Sequence, residues 1–186
     1  MIIGLTGTNA SGKTSIVEYL KSKGFEYHSL SDVIREELTR RGLEHSRDNL
    51  RRVGNELRQT FGAAALAEIV SQNIGAKRVI IDSIRNVAEV ARLRELKQFY
   101  LIAVDAPLEV RFQRAKSRGR AENADDIQAF ADAENKEKSR TATAQNIDQC
   151  MKLADFTIHN DGSLVDLHNK VDAILTKVQN DETLVG

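Results

Sequence analysis

The chain contains no tryptophan, one proline and one cysteine, and its formal net charge is zero. Each shortage excludes something. A lone Cys150 forms neither an internal disulfide nor a cysteine-based zinc site, so an apolar core has to hold the fold and a reducing, cytoplasmic compartment is expected. The 27 Lys and Arg are balanced by 27 Asp and Glu, which argues against bulk attraction to nucleic acid or to an anionic membrane. Apolar runs such as Phe99–Val104 fall far short of the ~20 residues that span a bilayer. The opening Met1-Ile2-Ile3-Gly4 lacks the charged and long apolar regions of a signal peptide. With its proline at position 107 and no repeat or low-complexity tract, the chain shows no linker, and one domain over residues 1–186 is expected. What is present, 41% hydrophobic and 29% charged residues, is ordinary for a globular fold.

Short apolar runs alternate with helical patterns. Met1–Thr6, Phe25–Leu30, Arg78–Asp82, Phe99–Asp105 and Phe156–His159 read as strands. Helices are expected over Thr14–Lys23, from a Ser31 cap to about Arg41, from a Ser46 cap through Phe61, and over Ala63–Ile74, Val87–Leu96, Leu108–Ser117, Asp125–Lys138 and Ala142–Leu153, with a closing helix from Leu164. Continuously apolar strands separated by helices predict an α/β fold: a five-stranded parallel sheet with helices on both faces. Ligands of such sheets bind beyond the carboxyl ends of the strands, so functional residues should follow Thr6, Leu30, Asp82, Asp105 and His159.

The first of these positions carries a motif. Gly7-Thr8-Asn9-Ala10-Ser11-Gly12-Lys13-Thr14 matches G-x-x-x-x-G-K-[ST] at every fixed position, with a strand before it and a helix after it. Glycines let the backbone curl so that successive N–H groups converge on phosphate oxygens at a helix N-terminus. Lys13 then reaches the β- and γ-phosphates and Thr14 offers a hydroxyl to Mg²⁺, so a nucleoside triphosphate is the expected ligand. A second tetrapeptide, Asn169-Lys170-Val171-Asp172, imitates the guanine-reading N-K-x-D of GTPases. It falls inside the closing helical pattern rather than in a loop after a strand, and no D-x-x-G follows the central strand, so it is expected to be accidental.

Two further strand ends deliver paired charges. Ser31-Asp32-Val33-Ile34-Arg35 and Asp82-Ser83-Ile84-Arg85 each place a carboxylate and, three residues on, a guanidinium at the active edge of the sheet. Arginine forks grip phosphate bidentately, so Arg35 and Arg85 are candidates to clamp an acceptor phosphate from two sides. Asp82 follows an apolar strand as the Mg²⁺-side carboxylate of P-loop proteins does.

These three segments together resemble the nucleoside monophosphate kinases, adenylate kinase in particular. Asp105-Ala106-Pro107 followed by Arg111, Arg114 and Arg118 resembles that family's lid-entering helix. The tail from Ala154 to Leu164, with Asn160 in it, resembles instead the last strand and helix of dephospho-CoA kinase. The combination looks most similar to a mainly archaeal, adenylate-kinase-related or dephospho-CoA-kinase-like group. The resemblance implies a P-loop, nucleotide-kinase-like fold with a helical acceptor-binding region at about 31–75, to which Arg58 belongs, and a short lid at about 111–140. It implies ATP and Mg²⁺ as cofactors: the loop residues, Arg114 and Asn160 toward ATP, Arg118 or Arg114 closing over the γ-phosphate. Departures are visible. No glycine or proline adjoins Arg85, no long lid is inserted, and Glu89 stands where adenylate kinase has a base-reading glutamine. Asn86-Val-Ala-Glu89 also reads as a helix capping box, which is preferred.

The expected activity is transfer of the ATP γ-phosphate to a nucleoside or deoxynucleoside monophosphate. A phosphate acceptor is already ionised near neutrality and needs no base, whereas the hydroxyl of dephospho-CoA would want one, for which Asp32 is the candidate. The alternative from another class is a P-loop ATPase or nucleotide sensor, with Arg47, Arg51, Arg52 and Arg58 facing a macromolecule such as RNA. A small nucleotide acceptor, no membrane and no nucleic acid are the expected partners. All sixteen arginines lie between Arg35 and Arg140, so the zero balance hides a basic edge.

Overall fold

A computed structural model describes residues 1–118, 126–136 and 145–185 of the chain. Five strands, β1 (Ile2–Gly7), β2 (Glu26–Ser29), β3 (Val79–Asp82), β4 (Phe99–Asp105) and β5 (Phe156–His159), form one sheet in the order β2-β3-β1-β4-β5. Every pairing is parallel, as expected: Ile3 lies between Ile80 and Tyr100, Tyr27 pairs with Ile80, and Ile102 with Phe156. Helix α1 (Lys13–Ser22) follows β1, and α2 (Leu30–Arg40), α3 (Arg47–Phe61) and α4 (Ala65–Gln72) connect β2 to β3. Then α5 (Val87–Leu93) leads to β4, and α6 (Leu108–Ser117), α7 (Ile127–Lys136) and α8 (Ile147–Lys152) precede β5 and the closing α9 (Leu164–Val185).

The two-residue period of the strands divides the core into two layers. Ile3, Leu5, Ile80, Ile102, Val104 and Ile158 pack with α1 and α9. Val79, Ile81 and Leu101 face the other way, onto α2, α3, α4, α5 and Cys150 of α8. Gly4 keeps the second face open, because a Cβ there would lie 2.6 Å from the Phe99 ring and 2.9 Å from Ile84 Cδ1.

Several boundaries differ from expectation. The strand expected to end at Leu30 ends at Ser29, and Ser29 rather than Ser31 caps α2, its Oγ accepting from the Ser31 N–H at 3.3 Å. The cause is the buried stripe Leu30, Ile34, Leu38, spaced four apart, which draws Leu30 into the helix. The helix expected over Ala63–Ile74 is shorter, Ala65–Gln72, since Gly62 ends α3 at φ 103°. Of the helix expected over Ala142–Leu153, residues 142–144 lie outside the described residues, and the described part runs over Ile147–Lys152, capped by Asn146. Parts of the lid expected at 111–140, residues 119–125 and 137–140, lie outside the described residues. The N-K-x-D tetrapeptide is inside α9, with Val171 fully buried and Asp172 accepting from the Tyr19 hydroxyl at 2.6 Å. Among the described residues, no helix is long and apolar enough to cross a membrane.

Candidate active site

Strand β1 ends in Gly7 and α1 begins at Lys13, so the intervening loop turns directly onto a helix N-terminus. Two of its glycines are obligatory. Gly7 has φ +133° and a Cβ there would sit 2.0 Å from the Val104 carbonyl oxygen; Gly12 has φ +109° and its Cβ would sit 2.1 Å from Asn160 Nδ2. The loop is braced from both flanks. The Thr8 hydroxyl donates to Asp105 Oδ1 at 2.7 Å, and Asn160 Nδ2 donates to the Ser11 carbonyl at 2.8 Å. Asn160 is 4% exposed and its own carbonyl accepts from Arg114 Nη1 at 3.1 Å. Asn160 thus holds the back of the loop and ties α6 to it.

The Lys13 ammonium folds back on the loop, donating to the carbonyls of Gly7 at 2.8 Å and Thr8 at 2.7 Å. Burial lowers its pKa to about 8; the charge of Asp82 opposes that shift, while Arg85 and Arg111 add to it. Three cations therefore converge where an anion would be held. Thr14 stands exposed in the first turn of α1. Asp82 Oδ1 is buried with no hydrogen-bond partner among the described residues. An orphaned carboxylate oxygen is costly, and a cation-bound water is a partner that suits it. Thr14 and Asp82 thus fit a magnesium ion that completes its shell from phosphate and water. Among the described residues no three His, Cys, Asp or Glu side chains cluster as a metal cage.

Beside the loop opens a cleft of about 430 Å³, with Gly7, Thr8 and Asn9 on one wall. Arg35 and Arg85 line it, together with Ser31 and Ser83, and Leu30, Ile34, Leu50 and Leu66 add apolar lining. Arg35 Nη1 donates to Ser31 Oγ and to Asp32 Oδ1, both at 2.6 Å. Asp32 is half exposed and does not line the cleft, whose carboxylates are Glu134 and Asp148. Arg85 Nη1 donates to Gln145 Oε1 at 3.0 Å, and the Arg85 carbonyl accepts from the Asn146 N–H at 2.7 Å. Ser83, between Asp82 and Arg85, has φ +65°, a left-handed conformation uncommon outside glycine and found at strained functional turns. Its hydroxyl joins those of Ser29 and Ser31, each 3.3 Å away.

The capping box at α5 is present: the Glu89 side chain accepts from the Asn86 N–H at 3.0 Å, and Asn86 Oδ1 from the Ala88 N–H at 2.8 Å. Glu89 does more than cap. Fully buried, it also accepts from the Arg85 N–H at 2.9 Å and pairs with Arg58, Nε at 2.8 Å and Nη2 at 2.7 Å from Oε1. Neighbouring Cys150 is buried and its thiol is pushed up to about 12, so it carries no thiolate near neutrality.

On the lid side, Arg111 is 7% exposed, donates to the Ala106 carbonyl at 2.9 Å and pairs with Glu134 of α7. Burial, and to a lesser extent the charge of Arg118, lower the pKa of Arg114. Arg118 is the exposed C-cap of α6, outside the cleft lining. Sequence patterns thus located the loop, Arg35 and Arg85, but missed Ser83, Glu134 and Gln145 as cleft residues. Nothing local marks Gln145, which meets Arg85 only through the packing of α8.

Comparison with known proteins places this geometry. The family model described as "AAA domain" matches residues 3–142. A UPF0200 protein of Thermococcus gammatolerans is 34% identical over 186 residues, covering 96% of this chain and 95% of that one. The chain belongs to the UPF0200 family and carries an AAA domain. A UPF0200/UPF0201 protein of Archaeoglobus fulgidus is 37% identical over 184 residues, and there this UPF0200 chain spans about half the relative, 95% of its own length against 55%. A solved shikimate kinase from Aquifex aeolicus vf5 shares the fold, with TM-score 0.54 and 16% identity over 100% of both chains. The UPF0200 chain thus has the P-loop fold of small-molecule kinases.

Proposed function

We propose that this UPF0200 chain is an ATP- and Mg²⁺-dependent phosphotransferase that moves the γ-phosphate to the phosphate of a nucleoside or deoxynucleoside monophosphate. The observation that carries the reading is the cleft itself: the nucleotide loop forms one wall, and Arg35 and Arg85 line the space beside it. Phosphoryl transfer asks chiefly for alignment and charge neutralisation. The loop amides and Lys13 hold the donor phosphates, and Lys13 exchanges the Gly7 and Thr8 carbonyls for phosphate oxygens. Thr14 and Asp82 are the residues that would hold a magnesium ion, which would supply charge neutralisation for the phosphates. Arg35 and Arg85 orient the acceptor phosphate in line, with Gln145 fixing the Arg85 fork. Helices α2 to α4 form the acceptor region, and α6 with α7 the lid, from which Arg114 and Arg118 reach the donor.

A phosphate is favoured over a hydroxyl acceptor because Asp32, the base expected from the sequence, is half exposed and already engaged by Arg35, and Glu134 of the cleft is paired with Arg111. The test is a panel of ribo- and deoxyribonucleoside monophosphates and dephospho-CoA, each with ATP and Mg²⁺, scored for ADP and phosphorylated acceptor. At least one diphosphate product is expected. Phosphorylation of dephospho-CoA alone would move the assignment to the hydroxyl acceptor, and ATP hydrolysis stimulated by RNA with no phosphorylated acceptor would move it to a sensor.

A further inference from the structure

Arg58 lines the cleft and is one of the largest fully buried side chains, at 1% exposure. A buried guanidinium is costly unless its charge and its donors are satisfied. The charge is satisfied: Nε and Nη2 both reach Glu89 Oε1. The donors are not, for Nη1 has no hydrogen-bond partner among the described residues. Among the described residues three other buried polar atoms share that condition, Asn55 Oδ1 on α3 and two, Ser11 Oγ and Asp82 Oδ1, that belong to the nucleotide loop and the proposed metal side. Two of these orphaned atoms thus lie where a ligand is expected to supply the partner. Gly54, one turn before Arg58 on α3, lets the guanidinium and Ile34 lie close against the helix: a Cβ there would come within 3.3 Å of Nη1 and 2.8 Å of Ile34 Cδ1.

We propose that Arg58 Nη1 reads an uncharged hydrogen-bond acceptor of the substrate, a carbonyl oxygen or ring nitrogen of its base, and that Glu89 makes this arginine a specificity determinant instead of a third phosphate clamp. The inference rests on the proposed nucleotide acceptor and names the part of it that enters the apolar end of the cleft. Glu89 cancels the guanidinium charge, so an anion there gains little attraction while losing its water. A neutral lone pair gains a donor that otherwise stays unpaired, and the flat base covers Leu30, Ile34 and Leu66. Charge recognition is left to Arg35 and Arg85. A site built to donate a hydrogen bond rejects a ligand that cannot accept it by large factors. Glu89 also accepts from the Arg85 N–H, so one carboxylate sets both the base reader and the backbone of the phosphate clamp.

Removing Arg58 alone strands a buried carboxylate, so the informative variant is Arg58→Met with Glu89→Gln, which deletes the ion pair and keeps an oxygen for the α5 cap. Binding of each nucleoside monophosphate and of ribose 5-phosphate is measured by calorimetry in the presence of ADP and Mg²⁺, so no turnover is required. For the native chain, the preferred monophosphate is expected to bind at least about tenfold more tightly than ribose 5-phosphate. In the double variant that ratio falls toward one, while the cooperative thermal melt and the affinity for ribose 5-phosphate persist. A purely structural role for Arg58 would weaken every ligand alike and leave the ratio unchanged, which overturns the proposal. So does a native chain that binds ribose 5-phosphate as well as any nucleotide. Base-selective binding that is lost in the variant, without phosphate transfer by the native chain, would uphold Arg58 as the reader and defeat the kinase assignment instead.

Discussion

The nucleotide loop and the rest of the cleft, the donor and acceptor sides of the proposed reaction, are built in different ways. The loop's backbone lies in one continuous segment, Gly7–Thr14, whose shape follows from two glycines with no room for a side chain and from the start of α1, although Asp105 and Asn160 brace it from far along the chain. The acceptor side is assembled from α2, α3, the β3–α5 turn and the start of α8, and its contacts span long stretches of chain. Arg58 and Glu89 are 31 residues apart, Arg85 and Gln145 are 60 apart. A local motif tolerates little change and advertises itself in the sequence. A non-local site is free to vary its ligand, and its chemistry appears only after folding.

Substitutions break this contrast in graded ways. The largest effect is expected on the acceptor side, from Glu89→Ala, which leaves the Arg58 guanidinium uncompensated at 1% exposure. Losing one partner of such a pair costs about 3–5 kcal/mol, measurable by urea denaturation; a loss below about 1 kcal/mol, the worth of an exposed pair, would show that the pair is not buried in solution.

Next comes Lys13→Met. Turnover should fall by about 10²–10³-fold or more, the scale of losing one preorganised electrostatic contact. The ligand-free protein should meanwhile become more stable. Burial holds the folded-state pKa of Lys13 near 8, below its ordinary 10.5. The folded state therefore binds fewer protons than the unfolded one between those values, and native stability rises with pH across that window. Below about pH 8 the cost of keeping the buried ammonium charged is present in full, roughly 1–3 kcal/mol, and the methionine variant is relieved of it. Thermal melts of both proteins from pH 7 to 10.5 should converge as the pH rises; parallel curves would contradict the burial of that charge.

Arg85→Ala should raise the acceptor KM by about ten- to a hundredfold, the worth of a charge-assisted contact of ~1.5–3 kcal/mol, with ATP binding little changed. Unchanged acceptor kinetics would remove Arg85 from the clamp. The smallest effect is expected from Asn160→Ala, which deprives the buried Ser11 carbonyl of its donor at a cost of about 1–3 kcal/mol. It should weaken ATP a few-fold while sparing the monophosphate.

The same contrast explains what was legible in the sequence. The sheet, its parallel pairing and the loop were readable because apolar runs and glycine spacing are local signals. Arg35 and Arg85 were readable because each follows a strand end by a fixed few residues. The Ser29 cap was missed since Ser29 and Ser31 are equally good caps in isolation, and only the packing of Leu30 decides between them. Glu89 was legible as a cap, but its ion pair with Arg58 depends on how α3 lies against α5, which no spacing encodes. The positive φ of Ser83 had no signal either, because serine does not announce a left-handed turn as glycine does.

Whether the cleft passes the γ-phosphate to a monophosphate, as proposed, is tested most directly by following the label from γ-³²P-ATP. With Mg²⁺ and the mixed nucleoside monophosphates present, the label should appear at the β-position of a nucleoside diphosphate and vanish from that position in the Lys13→Met protein. Label recovered only as inorganic phosphate, with every monophosphate unchanged, would contradict it.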